Sequence, residues 1–321
     1  MCVLCTEQSS RAPSGTMDII PNFVLGLLSL FIVSTVLYLA FLRFRYNRKL
    51  SAPKDTVILY QIGRGPRSPS ISPFPLKLET FLRMNKIPYM NDHSARFSSK
   101  GKTPWIEYNG LPVADSQLVI EFLKRERNID PNLHLSVEDR AIARGFLKLI
   151  EENLYWTMCL EMFGDNLEPI KTVIPYRGLK LWFTVKMLRF LIGLETWGHG
   201  IGRHTKEEVW LIAVDDMTAI SNFLGDKKYL MGDQPSEVDC ALFGMLSQIV
   251  LHMPGSRHEK YIKERLPNLV NYCDRMREKF WPDWQSRILQ GESYSYDHGH
   301  LYFKENMPEP DVNSYDQKKT S

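Results

Sequence analysis

Two short polar motifs lie at predicted helix starts and could do chemistry. Asp115-Ser116 combines a carboxylate with the amides of a helix N-terminus, a pairing that suits the head group of an α-amino acid. The same pair would also serve as an ordinary helix cap. Ser72 precedes Pro73 and stands where an N-cap serine is expected, because proline is favoured at the first helical position. The two motifs therefore predict either a small polar pocket or two plain caps.

Other chemistry finds less support in the sequence. Cys2 and Cys5 form a C-x-x-C pair, but no second pair or nearby histidine completes a zinc site. Gly63-x-Gly65-x-x-Ser68 is a degraded glycine pattern without the acidic partner of a dinucleotide site. The eight histidines are dispersed. We therefore expect no metal site.

Composition and charge bound the class of protein. The 321 residues are enough for one large domain or two modest ones. The net charge of +3 gives no electrostatic case for binding nucleic acid, which favours a strong basic excess. Five scattered cysteines do not make a disulfide framework, so we expect a reducing compartment.

An apolar stretch near the N-terminus predicts a membrane anchor. Ile19 to Leu42 is a run of 24 uncharged residues, which as a helix would be roughly 36 Å long and could cross a hydrocarbon core of about 30 Å. A buried core helix and a cleaved signal peptide are the alternatives. The run is longer than the apolar part of a signal peptide and lacks a good cleavage site. We predict one transmembrane helix over 19–42, preceded by a short tail over 1–18.

The charges that flank this run predict its orientation. Arg11 is the only basic residue before it, whereas a basic juxtamembrane linker over 43–55 follows. The positive-inside rule then places the C-terminal side, and the bulk of the chain, in the cytosol. The expected location is that of a single-pass membrane protein, and the sequence does not say which membrane. The basic residues of the linker are Arg43, Arg45, Arg48, Lys49 and Lys54.

Residues 56–125 alternate strand and helix signals. Asn109-Gly110 lies between two apolar runs and predicts a hairpin, since a type I′ turn needs two positive φ angles. The element order is βαβ, then ββ, then α, which predicts an α/β domain. Strands are expected near 56–60, 87–90, 105–108 and 111–114, and helices over 72–85 and from 115 onward.

From residue 136 the signals become helical. Three capping patterns, Ser136-x-x-Asp139, Thr205-x-x-Glu208 and Ser236-x-x-Asp239, precede apolar residues at helical spacing. They predict an all-α domain over 136–292. The polar stretch 293–321 has no apolar period, so we expect a disordered tail there.

The segment from Tyr176 to Trp197 is apolar and basic. Arg177, Lys180, Lys186 and Arg189 spread around a helix at 100° per residue instead of sharing one face. That spread lacks the charge pattern of a helix lying in a membrane surface. We therefore predict a covering helix of the second domain.

These elements and motifs resemble the glutathione transferases. Thr103-Pro104 lies just before the hairpin, where the thioredoxin-like fold keeps a cis-proline, and Asp115-Ser116 matches the acid-serine pair of the family. Ser236-x-x-Asp239 matches the capping box of the core helix in the second domain. The resemblance implies a thioredoxin-like N-terminal domain followed by a helical glutathione transferase C-terminal domain.

The resemblance also implies a site. Thr103, Pro104, Asp115 and Ser116 would form a glutathione-type pocket, in which the acid-serine pair holds the γ-glutamyl end. Ser72 would occupy the position whose hydroxyl lowers the pKa of the bound thiol. On the residues alone, Ser72 is also the N-cap that Ser-Pro provides by itself. Glutathione stays a possible ligand.

Within this group the chain resembles the failed axon connections family, a relative of the metaxins. The likeness covers roughly residues 54–290 and implies a role in axonal development. We expect a membrane-anchored, non-catalytic protein that acts through protein partners, with a homodimer possible. The alternatives are a membrane-tethered glutathione transferase using Ser72 and a metaxin-like component of the mitochondrial outer membrane. The matching segments are 72–75, 102–106, 198–204, 267–273 and 280–284.

Overall fold

The computed structural model describes residues 26, 29–37, 50–164, 177–288 and 298–303. The chain forms two compact units, 1–51 and 52–321. In the first, residues 29–37 are helical and exposed, while the rest of the predicted transmembrane helix 19–42 falls outside the described residues, apart from residue 26. Among the described helices, none taken singly has the length and apolar composition needed to cross a bilayer. Glu237–His252 and Arg257–Arg265 reach those criteria only together, with a bend of 102° between them.

The second unit begins with a sheet in the order β4-β3-β1-β2-β5. Strand β2 runs parallel to β1, and the remaining neighbours are antiparallel. Helix α1 follows β1 and helix α2 follows β4, which gives the thioredoxin-like order that the sequence predicts. The strands are β1 Val57–Tyr60, β2 Tyr89–Asp92, β3 Trp105–Tyr108, β4 Leu111–Ala114 and β5 Leu301–Tyr302, and the helices are α1 Pro73–Met84 and α2 Ser116–Glu126.

The hairpin between β3 and β4 has the predicted turn. Asn109 and Gly110 both have positive φ angles, 50° and 83°. This is the backbone conformation that a type I′ turn requires and that asparagine and glycine tolerate best.

Strand β5 corrects the expectation for the C-terminal tail. Leu301 and Tyr302 pair with Met90 and Tyr89, and the Tyr302 ring stacks on Tyr89 at 4.5 Å. An edge strand and a buried aromatic contact outweigh the polar composition of the surrounding stretch, so residues 298–303 are ordered. The other residues of 293–321 lie outside those that the structure describes.

The remaining elements form the helical domain that the capping patterns predict. Its core is built around α7, whose residues are all buried. The helices are α3 Val137–Lys148, α4 Tyr155–Met162, α5 Gly178–His199, α6 Lys206–Leu224, α7 Glu237–Ser247, α8 Arg257–Arg265 and α9 Pro267–Phe280. Two π-helical stretches, Leu149–Leu154 and Gln248–His252, continue α3 and α7, and single 3₁₀ turns lie at Ile201–Arg203 and Trp284–Arg287.

The Ser236–Asp239 capping box at the start of α7 is present. The Asp239 carboxylate accepts hydrogen bonds from the Ser236 N–H, the Leu230 N–H and the Tyr272 hydroxyl, at 2.8, 2.8 and 2.9 Å. A buried carboxylate with several donors fixes the helix start and the loop before it.

Helices α1 and α7 pack closely and join the two domains. A Cβ atom added at Gly244 would lie 2.6 Å from the Pro73 carbonyl oxygen, so only glycine allows this approach. Beside this contact, Lys77 on α1 pairs with Glu151 at 2.6 Å, and both side chains are buried. The two domains are therefore one packed body around α1.

A second ionic contact joins the segment after α9 to α1. The Arg83 guanidinium donates to the Asp283 carboxylate at 2.6 Å and lies 3.8 Å from the centre of the Trp281 ring. Arg287 donates to the same carboxylate at 2.6 Å. Although burial opposes it, the two guanidinium groups hold the pKa of Asp283 at about 2. This carboxylate is charged in the folded protein throughout the physiological range.

Candidate functional site

The sheet register aligns the strand ends from which the predicted site residues follow or which they precede. Ala114, Trp105, Tyr60 and Asp92 are paired in a row across the four strands β4, β3, β1 and β2. The segments that lead to Ser72 and Asp115, and the residue before Trp105, therefore leave the sheet at the same edge. The register thus brings the residues next to Trp105 and Ala114, which are Pro104 and Asp115, to neighbouring strand ends.

The residue immediately before β3 is a cis-proline. The Thr103–Pro104 peptide bond is cis, as the resemblance implies. Pro104 is buried and Thr103 is half-buried. The following residue, Trp105, stacks on Tyr60 at 3.9 Å and donates its indole N–H to the Arg96 carbonyl oxygen at 2.9 Å. These contacts fix the proline against the end of β1.

Asp115 is the N-cap of α2 and has an unusual backbone. Its carboxylate accepts from the N–H groups of Gln117 and Leu118, at 3.0 and 3.1 Å. Its φ angle is +86°, a region that side chains with a Cβ rarely adopt. Asp115 is exposed and Ser116 is buried. The carboxylate thus caps its own helix and also faces solvent at the edge of the sheet.

Ser72 is the N-cap residue of α1 by position, but its hydroxyl does not cap the helix. A capping hydroxyl accepts from the N–H of the second or third helical residue. The third residue here is Pro75, which has no N–H. The Ser72 side chain is half-buried, and its own N–H donates to the Ser70 hydroxyl at 3.2 Å. The position of Ser72 at the helix start is therefore not explained by a capping hydrogen bond from its hydroxyl.

The loop between β1 and Ser72 is held by a buried ion pair. Arg64 is 1% exposed and donates two hydrogen bonds to Glu79 on α1, at 2.7 and 2.9 Å. Gln61 and Tyr89 also donate to this carboxylate, both at 3.0 Å. An arginine in a Gly/Pro/Ser-rich loop is typically solvated, yet this one is structural, and its partner 15 residues away gave no local sequence signal.

Tyr60 is part of the core. It is 1% exposed, and burial raises the pKa of its hydroxyl. Burial likewise raises the pKa of the Cys159 thiol, to about 12, which keeps that thiol protonated. Neither group therefore has the properties of a thiolate stabiliser or a nucleophile.

The helical domain supplies side chains to this edge that sequence reasoning missed. Tyr155 on α4 contacts Phe74 at the start of α1, with ring centres 4.8 Å apart. Glu195 on α5 lies 3.9 Å from the Lys102 ammonium, next to Thr103. These pairs join residues 81 and 93 positions apart, so only the tertiary fold reveals them.

Comparison with known proteins gives the same architecture. A family model described as the glutathione S-transferase N-terminal domain matches residues 73–168, and one for the glutathione S-transferase C-terminal domain matches 213–276. The β-etherase LigF of Sphingobium has the same fold, with a TM-score of 0.52 and 16% identity over 72% of this chain and 98% of its own.

Three curated relatives span different functions. Failed axon connections of Drosophila melanogaster is 34% identical over 74% of this chain, which spans 60% of the fly protein's length. Isoprene-epoxide–glutathione S-transferase of Rhodococcus is 30% identical over 66% of this chain and 94% of its own. Mouse metaxin-2 is 22% identical over 65% of this chain and 82% of its own. The chain therefore belongs to the glutathione S-transferase family and is related to Failed axon connections and the metaxins.

Proposed function

We propose that this chain is a membrane-anchored protein of the glutathione transferase fold that acts by binding, without transferase turnover. The observation that carries the proposal is the composition of the first turn of α1. A transferase stabilises a thiolate with a hydroxyl or thiol and with the free N–H groups of this helix end.

The N–H groups at this helix end are few. Pro73 and Pro75, the first and third helical residues, have none, and the Ser72 N–H is already bonded to Ser70. Phe74 alone keeps a main-chain donor among the first three helical positions. Because anion binding at a helix start depends on several converging N–H groups, this end is a poor thiolate site.

A glutathione-type pocket is compatible with binding alone. Thr103, Pro104, Asp115 and Ser116 supply the edge of the sheet at which the family holds its ligand. The strained backbone of Asp115 supports this role, since backbone strain of about 1–3 kcal/mol persists mainly at functional positions. We assign Asp115 and Ser116 to the amino-acid end of such a ligand.

The proposed tether is the helix over 19–42, with the bulk of the chain in the cytosol. The described residues 29–37 support the membrane-spanning helix. Ser34 and Thr35 donate their hydroxyls to the Phe31 carbonyl oxygen at 2.9 and 2.7 Å, which satisfies them inside the helix as a hydrocarbon environment requires. Leu30 and Phe31 project outward, 71% and 69% exposed.

The biological setting comes from the relatives. The name of the fly protein suggests a role in axonal development, and we extend that role to this chain, exercised through protein partners. A membrane-tethered transferase is the second candidate. It is favoured by the Ser72 hydroxyl, which makes no capping hydrogen bond to α1. A metaxin-like component of the mitochondrial outer membrane is the third, favoured by the likeness to metaxin-2.

The test probes the helix end directly. In a chain with Cys2 and Cys5 replaced by serine, Ser72→Cys introduces a thiol at the start of α1, whose pKa is measured by the pH dependence of alkylation. We expect a value near 8, close to the about 8.5 of a free thiol. Adding Pro75→Ala restores an N–H and should lower it. A pKa below about 6 with Pro75 in place would contradict the proposal.

A further inference from the structure

Helix α5 is apolar on the side that faces solvent. Its outward side chains are large and exposed, between 45% and 78% of their surface. A helix of a globular protein is normally polar on this side. The exposed residues are Leu179, Trp182, Phe183, Met187, Phe190, Leu191, Leu194 and Trp197.

The inner side of α5 is apolar as well. Val185 is buried in the helical core, and Leu181, Leu188 and Ile192 pack against it. At 100° per residue these four lie within about 60° of one another, whereas the exposed set covers the opposite half of the helix. Helix α5 thus has a second apolar face that makes no core contact, and we call this exposed set the outer face of α5.

The two family models match residues 73–168 and 213–276, and α5 occupies the interval between them. A contiguous apolar face of this size marks an interaction surface, since single scattered apolar residues would need no explanation.

The charges on α5 favour a lipid surface as the occupant. Lys180 and Lys186 are the charged residues on the outer half of the helix, and both lie toward its margins. Lys186 lies 5.9 Å from the Trp182 ring centre. Glu195 lies outside this half and pairs with Lys102. Lysines at the margins of an aromatic, apolar face are typical of a helix that lies in the headgroup region of an anionic membrane.

We propose that the outer face of α5 inserts into the interfacial layer of an anionic bilayer, so that the folded unit lies on the membrane surface. The proposal rests on the proposed membrane tether, because a tethered domain meets its own membrane at a high effective concentration. Trp182 and Trp197 lie near opposite ends of the face, about 22 Å apart along the helix, and would sit at headgroup depth.

The test uses the full chain reconstituted in vesicles of phosphatidylcholine and phosphatidylserine that contain acyl chains brominated near the headgroup. Bromine quenches tryptophans that enter the bilayer. Two of the seven tryptophans are on the outer face, so about two sevenths of the emission should be quenched. The quenched part should vanish in Trp182→Phe/Trp197→Phe.

Variants identify the face. Phe183→Glu/Phe190→Glu should abolish the quenching, while Leu211→Glu, an equally apolar and exposed position on α6, should leave it unchanged. Equal quenching in all three proteins would overturn the proposal. A wild-type chain that shows no quenching would also overturn it. If that unquenched chain is a dimer that Phe183→Glu/Phe190→Glu separates, the outer face binds a second copy of the chain instead of a membrane.

Alkaline carbonate separates this outcome from failure of the tether. A chain that resists extraction but shows no quenching keeps its tether and refutes the role of α5. A chain that is quenched but extracted by carbonate supports the role of α5 and refutes the tether.

Discussion

Replacing Asp283 by asparagine should destabilise the folded chain by about 2.5 kcal/mol at neutral pH. The pKa of this carboxylate falls from 3.8 to about 2 on folding, and each unit corresponds to about 1.4 kcal/mol. The side chain is 14% exposed, so solvent screens the pair with Arg83 only weakly.

The pH dependence follows from the direction of this shift. The folded pKa lies below the unfolded one, so the stabilisation is complete above about pH 5 and is lost as the pH falls through about 2. The difference between wild type and Asp283→Asn should therefore shrink to about half near pH 3. Urea unfolding of the full-length chain in mild detergent, at pH 7 and pH 3, measures both values.

Asp216 provides a control of opposite sign. Burial raises the pKa of this carboxylate from 3.8 to about 6, so the cost of its charge to folding develops as the pH rises above about 4 and is complete above about 6. Asp216→Asn keeps the hydrogen bond from Asn153 and should stabilise the chain by about 1–2 kcal/mol at pH 7, with little effect at pH 3. Equal effects of the two substitutions at pH 7, or an Asp283→Asn loss that does not change with pH, would refute this reasoning.

Three further outcomes are expected. Ser72→Ala should change the free energy of unfolding by less than about 0.5 kcal/mol, because its hydroxyl does not cap α1, and a loss of 1 kcal/mol in urea unfolding would show a cap. Asp115→Ala should cost about 1 kcal/mol, whereas Asp115→Asn keeps the cap and removes the charge. Calorimetry with glutathione should therefore show weaker binding to Asp115→Asn than to wild type, and equal binding would exclude a role for the charge. Gly244→Ala should cost about 1–3 kcal/mol, since its Cβ meets the Pro73 carbonyl oxygen, and an unchanged unfolding midpoint would contradict the close packing of α1 and α7.

Local chemistry predicted much of the fold. The Asn109-Gly110 turn and the Ser236–Asp239 cap depend on neighbours within a few residues, and the structure has both. Strand β5 depends on Tyr302 reaching Tyr89, more than 200 residues away, which no local pattern encodes. The buried Arg64–Glu79 pair was not predicted either, because no local sequence pattern indicates it.

The candidate site residues were predicted from motifs, and their chemical roles stay predictions. Motifs placed Ser72, Pro104 and Asp115, and the strand register brings their segments to one edge of the sheet. The uncommitted Ser72 hydroxyl could have been inferred from Pro75, because a proline at the third helical position removes the N–H that a cap would use. The outer face of α5 was not predicted, because the spread of its basic residues around the helix indicates no membrane face, whereas its exposed apolar residues share one half of the helix.

The central claim is that this chain has the transferase fold without transferase turnover. It is tested most directly by incubating the full-length chain with glutathione and an electrophile and measuring conjugation against the uncatalysed rate. We predict a rate equal to the uncatalysed one, for wild type and Ser72→Ala alike. Conjugation well above that rate in wild type, lost in Ser72→Ala, would contradict the account and identify a serine-type transferase.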